Sequence, residues 1–187
     1  MRYTIIDSGL GGYSFYENLK NNSSFELLID SEAFPYGNKD LEWLKDRIKL
    51  LVDKATTDKV IIACNTLSSI IYYYNLTFSK KVVDVIAPTI SFLSMYSYER
   101  IVILATKNTI KMDIYTKMLK KSVFYIDATE LIYALEKGLD YQIILSEMIV
   151  KVKDFDVILL GCTHLIKIKN EFRKRVKKTV LSQDEFF

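Results

Sequence analysis

Val60-Ile61-Ile62-Ala63-Cys64-Asn65-Thr66 is an apolar run, rich in β-branched residues, that stops at a thiol, an amide and a hydroxyl. Such a run predicts a buried strand that delivers polar side chains to its carboxyl end. A second run of this kind, Val157-Ile158-Leu159-Leu160-Gly161-Cys162-Thr163-His164, holds the other cysteine and the only histidine of the chain. The two stretches therefore predict two similar strands, and the question is whether these strands face each other.

Composition limits the kinds of protein to which these strands can belong. With 187 residues, 50% of them hydrophobic, the chain can bury a sizeable core as one domain or two small ones. A net charge of +3 is too small an excess to indicate a nucleic-acid partner. The absence of a long apolar stretch predicts a cytoplasmic protein without a membrane partner. In a reducing compartment the 2 cysteines are expected to be free thiols.

Short apolar strands alternate with helical patterns along the chain, which is typical of parallel βαβ units. Leu41 to Lys54 has apolar residues at helical spacing behind Asp40, which stands in the position of an N-cap. Asn108 to Leu119 is predicted as one helix. Pro88 is predicted to mark the crossing between two halves, because a strand ends there without an immediate helix. The basic stretch 167–178 is interpreted as a solvated helix face.

The second half of the chain repeats the plan of the first. We therefore expect an α/β fold with two facing, doubly wound lobes of mostly parallel strands, and a ligand site in the cleft outside the carboxyl ends of those strands. If the lobes face each other, the polar residues that follow the strands share one cleft. These residues are Asp7, Ser8, Pro35 to Gly37, Cys64 to Thr66, Thr106 and Cys162 to His164.

Several chemistries could use two cysteines at such positions. No C-x-x-C spacing is present, so neither a zinc site nor a redox pair is favoured. A single nucleophilic Cys162 assisted by His164 would leave Cys64 unused, and two merely buried cysteines are also consistent with the pattern. The remaining alternative is a paired acid and base, in which one thiolate removes a proton from a carbon while a thiol on the other face delivers one.

Four motifs along the chain resemble those of the glutamate racemases, within the wider aspartate/glutamate racemase superfamily. They occur in the same order as in that family, and the second motif favours glutamate over aspartate. The motifs are Asp7-Ser8-Gly9-Leu10-Gly11-Gly12, Pro35-Tyr36-Gly37-Asn38-Lys39, Ala63-Cys64-Asn65-Thr66 and Gly161-Cys162-Thr163-His164.

The resemblance implies flavodoxin-like lobes and the racemisation of glutamate with no pyridoxal phosphate, other cofactor or metal. The positions that match the family's catalytic residues are Cys64, Cys162, Asp7, His164 and Glu136. Glu130 is a second candidate for the position of Glu136. The positions that match its substrate-binding residues are Ser8, Pro35, Tyr36, Gly37, Asn65, Thr66 and Thr163.

The resemblance also implies a division into a first lobe of residues 1–88 plus 165–187 and a second lobe of residues 89–164. In that family D-glutamate serves peptidoglycan synthesis, and many members form dimers, so a homodimer is one expected assembly. The chain is shorter than is usual in the family, and Leu165-Ile166 replaces a Tyr-Pro pair. The alternatives are therefore a racemase of aspartate or another amino acid, and a non-catalytic relative that binds an amino acid or a partner protein.

Overall fold

Two four-stranded parallel sheets form the frame of the molecule, in a computed structural model that describes residues 2–19 and 24–187. The first sheet contains β1 (Arg2–Asp7), β2 (Ser24–Ile29), β3 (Lys59–Ile62) and β4 (Lys81–Asp84), in the order β2-β1-β3-β4. The second contains β5 (Ile101–Ala105), β6 (Val123–Asp127), β7 (Val157–Leu160) and β8 (Thr179–Ser182), in the order β6-β5-β7-β8.

Helices connect the strands and cover the sheets. They are α1 (Leu10–Asn18), α2 (Leu41–Lys54), α3 (Asn65–Tyr73), α4 (Ile86–Ser94), α5 (Lys107–Met112), α6 (Ile114–Leu119), α7 (Thr129–Lys137), α8 (Gln142–Lys151) and α9 (Lys169–Val176). Short 3-10 turns lie at Ser31–Ala33, Tyr36–Asn38, Thr163–Ile168 and Gln183–Phe186. Asp40 caps α2 as expected, because its side chain accepts a hydrogen bond from the amide of Trp43.

This architecture confirms the predicted α/β fold with two lobes of parallel strands. Strands β3 and β7 hold the same place in their respective sheets, third in each order. Cys64 and Cys162 each stand at the second position after the end of their strand. The two cysteines are therefore equivalent in a repeated topology.

The end of the chain differs from the expectation that residues 165–187 complete the first lobe. Strand β8 pairs with β7 in the second sheet, with Val180 opposite Ile158. The physical reason is that α9 makes a short crossover from β7, and such a βαβ unit places consecutive strands side by side. Ile166 and the last residues do pack on the first lobe. Ile166 lies in an apolar cluster with Ile5 and Phe15, and the rings of Phe187 and Phe15 meet with centroids 5.2 Å apart.

Two helix predictions were wrong in their boundaries. Helix α4 begins at Ile86, so a helix follows β4 immediately, contrary to the expectation, and Pro88 lies within its first turn in the connection between the two sheets. A proline is tolerated there because the first amides of a helix have no partner within the helix. The helix predicted over 108–119 is two helices, α5 and α6, separated by Asp113 in a left-handed conformation with φ 52°.

One apolar cluster runs through both lobes and includes Ile62 from the first sheet and Leu159 from the second. Helix α1 packs closely on the turn that follows β7. A Cβ atom on Gly11 would lie 2.2 Å from Thr163 Oγ1, so only glycine permits this approach. Within residues 2–19 and 24–187, no helix is both long and apolar enough to cross a membrane.

Candidate active site

A cavity of about 440 Å³ opens between the lobes at the carboxyl ends of the strands. Both cysteines line it, one from each lobe. The other residues of its wall that match substrate-binding or catalytic positions of the family are Ser8, Pro35, Tyr36, Gly37, Asn65, Thr66, Thr163 and His164. Glu130 also reaches the cavity, whereas Asp7 and Glu136 stand behind its wall and contact residues that line it.

Cys64 lies between the end of β3 and the start of α3 and is 6% exposed. Its Sγ is 3.9 Å from the Oγ of Ser8. Burial raises the pKa of the Cys64 thiol, and the negative charge of Asp7 raises it further. Cys64 is therefore a protonated thiol at neutral pH.

Asp7 ends β1 and is completely buried. One carboxylate oxygen accepts a hydrogen bond from the amide of Gly9 at 3.1 Å. The other accepts one from Thr163 Oγ1 at 3.0 Å, which joins the two lobes behind the cavity. Burial raises the pKa of Asp7, and the opposing effect of His164 and these donors only partly offsets it.

Cys162, His164 and Glu136 form a chain on the opposite side of the cavity. The Sγ of Cys162 is 3.6 Å from His164 Nδ1, and His164 Nε2 is 2.7 Å from Glu136 Oε2. The amide of Leu10 donates to the same carboxylate oxygen at 2.8 Å. The ring of Phe34 lies beside the imidazole, with centroids 5.4 Å apart. The histidine ring is thus held from two ends and one face.

This chain determines the charge of the histidine. Burial alone would lower the pKa of His164, but its hydrogen bonds to Cys162 and Glu136 outweigh burial and raise that pKa to about 10. Burial likewise raises the pKa of Glu136, but the bond to His164 and the amide of Leu10 bring the pKa below its usual value. At neutral pH the pair is therefore an imidazolium and a carboxylate, and the imidazolium can donate to the sulfur of Cys162.

A wall of hydroxyl groups closes the cavity near Cys64. Thr66 Oγ1 lies 3.0 Å from Thr106 Oγ1 and 3.5 Å from Thr109 Oγ1. Thr109 was missed at the sequence level because it lies inside a helical pattern. The available signal was its spacing from Thr106, which caps α5 and accepts from the amide of Thr109.

The loop that carries Tyr36 is fixed by residues that the sequence did not single out for this role. Tyr36 donates its hydroxyl to Asp30, whose carboxylate also accepts from Arg47 Nε at 2.7 Å. Asn108 Nδ2 donates to the carbonyl of Tyr36 at 2.9 Å. A Cβ atom on Gly37 would lie 2.7 Å from Thr106 Cβ, so this loop approaches the second lobe as closely as glycine allows.

Apart from the His164 imidazolium, the described part of the lining carries no cationic side chain. Among the described residues that form the wall there is no lysine or arginine. Besides His164, the donors available to a carboxylate bound here are hydroxyl, amide and backbone N–H groups. Across residues 2–19 and 24–187, no group of three or more His, Cys, Asp or Glu side chains is arranged to hold a metal ion.

Known proteins with similar sequences are glutamate racemases. That of Buchnera aphidicola subsp. Schizaphis graminum is 33% identical, over 94% of this chain and 77% of its own length. That of Aliivibrio fischeri is 34% identical, over 96% of this chain and 75% of its own length. No protein-family model matches the chain.

Solved structures show the same fold. Glutamate racemase from Campylobacter jejuni superposes with a TM-score of 0.85 at 22% identity and covers 100% of this chain and 82% of its own. The enzyme from Francisella tularensis, solved in complex with D-glutamate, has a TM-score of 0.83 at 23% identity, covering 99% and 77%. Given the identity and coverage of the sequence relatives, the chain belongs to the glutamate racemase family.

Proposed function

We propose that the protein is a glutamate racemase that needs no cofactor and transfers protons at the α carbon with Cys64 and Cys162. The observation that carries the proposal is the position of the two thiols. They follow equivalent strands of two repeated sheets and reach the same cavity from opposite lobes. A carbon held between them would have one thiol on each face, which inversion by two bases requires.

The two thiols have different environments, which gives each a role in one direction of the reaction. Cys64 carries a proton because burial and Asp7 disfavour its thiolate. Cys162 has the imidazolium of His164 at 3.6 Å, within reach of a hydrogen bond to its sulfur. In one direction Cys162 takes the α proton, the C–H bond electrons stay on the substrate as a carbanion, and Cys64 delivers its proton to the other face. The protonation states of the thiols are then exchanged, ready for the reverse reaction.

The developing carbanion is the main energetic obstacle, because the α proton of an amino acid is far less acidic than a thiol. Hydrogen-bond donors aimed at the substrate carboxylate, in a site that excludes water, would stabilise that charge. The Thr66 and Thr106 hydroxyls are candidates for this role, since they line the same wall as Cys64. Asn65 also lines that wall and is a candidate for binding a substrate carboxylate equally in the ground state and the transition state. Ser8, Thr163 and the loop of Pro35, Tyr36 and Gly37 are candidates for holding the rest of the substrate.

Asp7 and Glu136 act through other residues in this scheme. Asp7 already accepts from Gly9 and Thr163, so we assign it to positioning Thr163 and to setting the charge around Cys64. Glu136 holds the imidazole of His164 and keeps it charged. Glu130, the other acidic candidate, has no place in this chain of contacts.

Circular dichroism on separate solutions of L-glutamate, D-glutamate and L-aspartate tests the proposal. We expect both glutamate enantiomers to lose optical activity and, in D₂O, to take up deuterium at the α carbon. Faster turnover of aspartate would identify an aspartate racemase instead. Binding of glutamate without deuterium uptake would identify a non-catalytic relative.

Substitution of each thiol tests the mechanism. Cys64→Ala and Cys162→Ala are each expected to lower kcat by at least about a hundredfold, because each removes one of the two proton carriers. Ser69→Ala is the matched control, since Ser69 lies in α3 near Cys64 and its buried hydroxyl has no hydrogen-bond partner among the described residues. Full racemisation by either cysteine variant would exclude the two-base mechanism.

A further inference from the structure

The side chain of Asn65 is held by a buried network that the catalytic scheme above does not use. Its Oδ1 accepts from Tyr115 OH at 2.7 Å and from Gln183 Nε2 at 2.7 Å, and its Nδ2 donates to Gln183 Oε1. Gln183 Nε2 also donates to Tyr115 OH at 2.7 Å. The three side chains are 2%, 0% and 1% exposed for Asn65, Tyr115 and Gln183. The two amides thus form a reciprocal pair with a phenol at one end.

Gln183 is the first residue of the 3-10 turn Gln183–Phe186. The residues before and after Gln183 hold this turn in place. Ser182 and Glu185 form a capping box at its start. Asp184 is paired with Lys169 of α9, and Glu185 accepts from Arg173 Nη2 at 2.7 Å. Since these contacts fix the backbone of the turn, the Gln183 amide is presented to Asn65 from a rigid support.

Within this network, the only hydrogen-bonding group that the Asn65 side chain keeps for a ligand in the cavity is an N–H donor. An amide oxygen has two acceptor positions and an amide nitrogen has two N–H groups. Tyr115 and Gln183 occupy both acceptor positions of Oδ1, and Gln183 takes one N–H of Nδ2. The remaining N–H is a donor, which suits a carboxylate and would be repelled by an ammonium group.

We propose that Gln183, with Tyr115, is a positioning residue that holds Asn65 so that its amide presents an N–H donor to a carboxylate of the substrate. This inference rests on the proposed racemase function. Without the network, Asn65 could rotate and turn its carbonyl oxygen towards the substrate. A glutamate in place of Gln183 could accept from Asn65 but not donate to it, so an amide is specifically required.

Gln183→Met tests the proposal, because methionine keeps the length of the side chain and removes both the donor and the acceptor. Asn65 contacts the carboxylate in the ground state and the transition state alike, so KM for glutamate should rise about tenfold while kcat stays within about threefold. Gln142→Met is the matched control, since Gln142 is an exposed glutamine of α8 that is not among the described residues lining the cavity and donates to Glu171 at 3.1 Å instead. Unchanged KM in Gln183→Met would overturn the proposal.

A double-mutant cycle separates positioning from a general structural effect. In an Asn65→Ala background, Gln183→Met should no longer change KM, because the residue through which Gln183 acts is absent. An equal rise of KM in both backgrounds would show that Gln183 only supports the fold. Thermal unfolding followed by circular dichroism reports whether each variant is folded. If Gln183→Met does not fold, Tyr115→Phe replaces it in the same cycle and should raise KM in the same direction.

Calorimetric titration with D-glutamate keeps this inference separate from the proposed function. If the unmodified protein binds D-glutamate but does not racemise it, the proposed function fails, and the positioning role is judged on the dissociation constant alone. A tenfold weaker constant in Gln183→Met that disappears in the Asn65→Ala background would still support positioning. If the unmodified protein racemises and Gln183→Met matches it in KM and in binding, only the positioning role fails.

Discussion

His164 stands between a thiol and a carboxylate, and this position determines its protonation. Burial opposes the charged imidazole, and the hydrogen bonds to Cys162 and Glu136 together outweigh it. In the proposed mechanism Glu136 acts through the ring of His164, since its carboxylate contacts the far nitrogen of that ring. Its contribution should therefore appear in turnover rather than in substrate binding.

Glu136→Gln is expected to lower kcat about tenfold or more and to leave KM within about threefold. The glutamine can still hold the ring but no longer stabilises its charge, so the pKa of His164 falls. The alkaline limb of the pH profile of kcat should then move to lower pH. Initial rates measured by circular dichroism at several pH values check this. Glu147→Gln, an exposed substitution on α8, is the control, and an unchanged pH profile in Glu136→Gln would contradict the assignment.

The raised pKa of His164 also makes stability depend on pH. The pKa is about 10 in the folded protein and about 6.5 in an unfolded chain. The imidazolium therefore stabilises the fold fully below about pH 6.5, and this contribution declines as pH rises towards about 10, by at most about 1.4 kcal/mol per pH unit. Urea unfolding of the unmodified protein between about pH 7 and about pH 9 should show the decline. The same series on His164→Gln should be flatter, and parallel curves would contradict the prediction.

Sequence reasoning found the residues that follow strands and missed the residues that support them. Cys64, Asn65 and Thr163 could be predicted from the sequence, because a polar group directly after an apolar run is a local signal. Gln183 and Arg47 could not be predicted in this way, because their partners Asn65 and Asp30 lie far away along the chain and no local pattern links them. Contacts of this kind depend on how the lobes meet, which the local pattern does not contain.

At the scale of elements, helix α1 of the first lobe packs against the turn Thr163–Ile168, which follows β7 of the second sheet. Gly11 permits that contact, since an added Cβ would lie 2.2 Å from Thr163 Oγ1 and 2.8 Å from the backbone N of His164. Because the neighbours include backbone atoms, the turn cannot adjust by rotating one side chain. Any larger residue at position 11 must move α1 or the turn.

Gly11→Ala should therefore destabilise the protein, although helix propensity alone favours alanine by about 1 kcal/mol. Overpacking in a filled interior costs about 1 to 3 kcal/mol, so we expect a net loss of about 1 kcal/mol and a lower kcat. Urea unfolding and the racemisation assay measure the two effects. Glu17→Ala, an exposed change on the same helix, should alter stability by less than about 0.5 kcal/mol. A gain in stability for Gly11→Ala would show that the approach is looser than the geometry indicates.

Element boundaries were predictable where apolar periodicity and caps agreed, as in α2. They were not predictable where one residue adopts an unusual conformation. Asp113 breaks the helix predicted over 108–119 with a left-handed backbone, although its neighbours keep a helical pattern. Pro88 suggested a boundary, but its position in the first turn of α4 costs the helix no hydrogen bond.

At the scale of the whole molecule, the repeated topology was visible in the sequence but the assignment of the last strand was not. Strand β8 has the same apolar pattern that an edge strand of either sheet would have, so the pattern alone does not choose between the lobes. The short crossover through α9 decides in favour of the second sheet. The terminal turn then reaches back across the cleft, so that the amide pair of Asn65 and Gln183 joins the lobes.

Because an apolar cluster and several hydrogen bonds at the cavity cross between the lobes, we expect the two lobes to unfold together. Glutamate bound in the cleft would contact both and stabilise both. At about 100 times Kd, a ligand adds about 2.7 kcal/mol to the free energy of unfolding. Scanning calorimetry of Cys64→Ser, which should bind without turnover, is expected to show one transition that D-glutamate moves to higher temperature. L-Alanine, which lacks the side-chain carboxylate, is the control ligand. Two transitions, only one of which responds to D-glutamate, would show that the substrate is held by a single lobe.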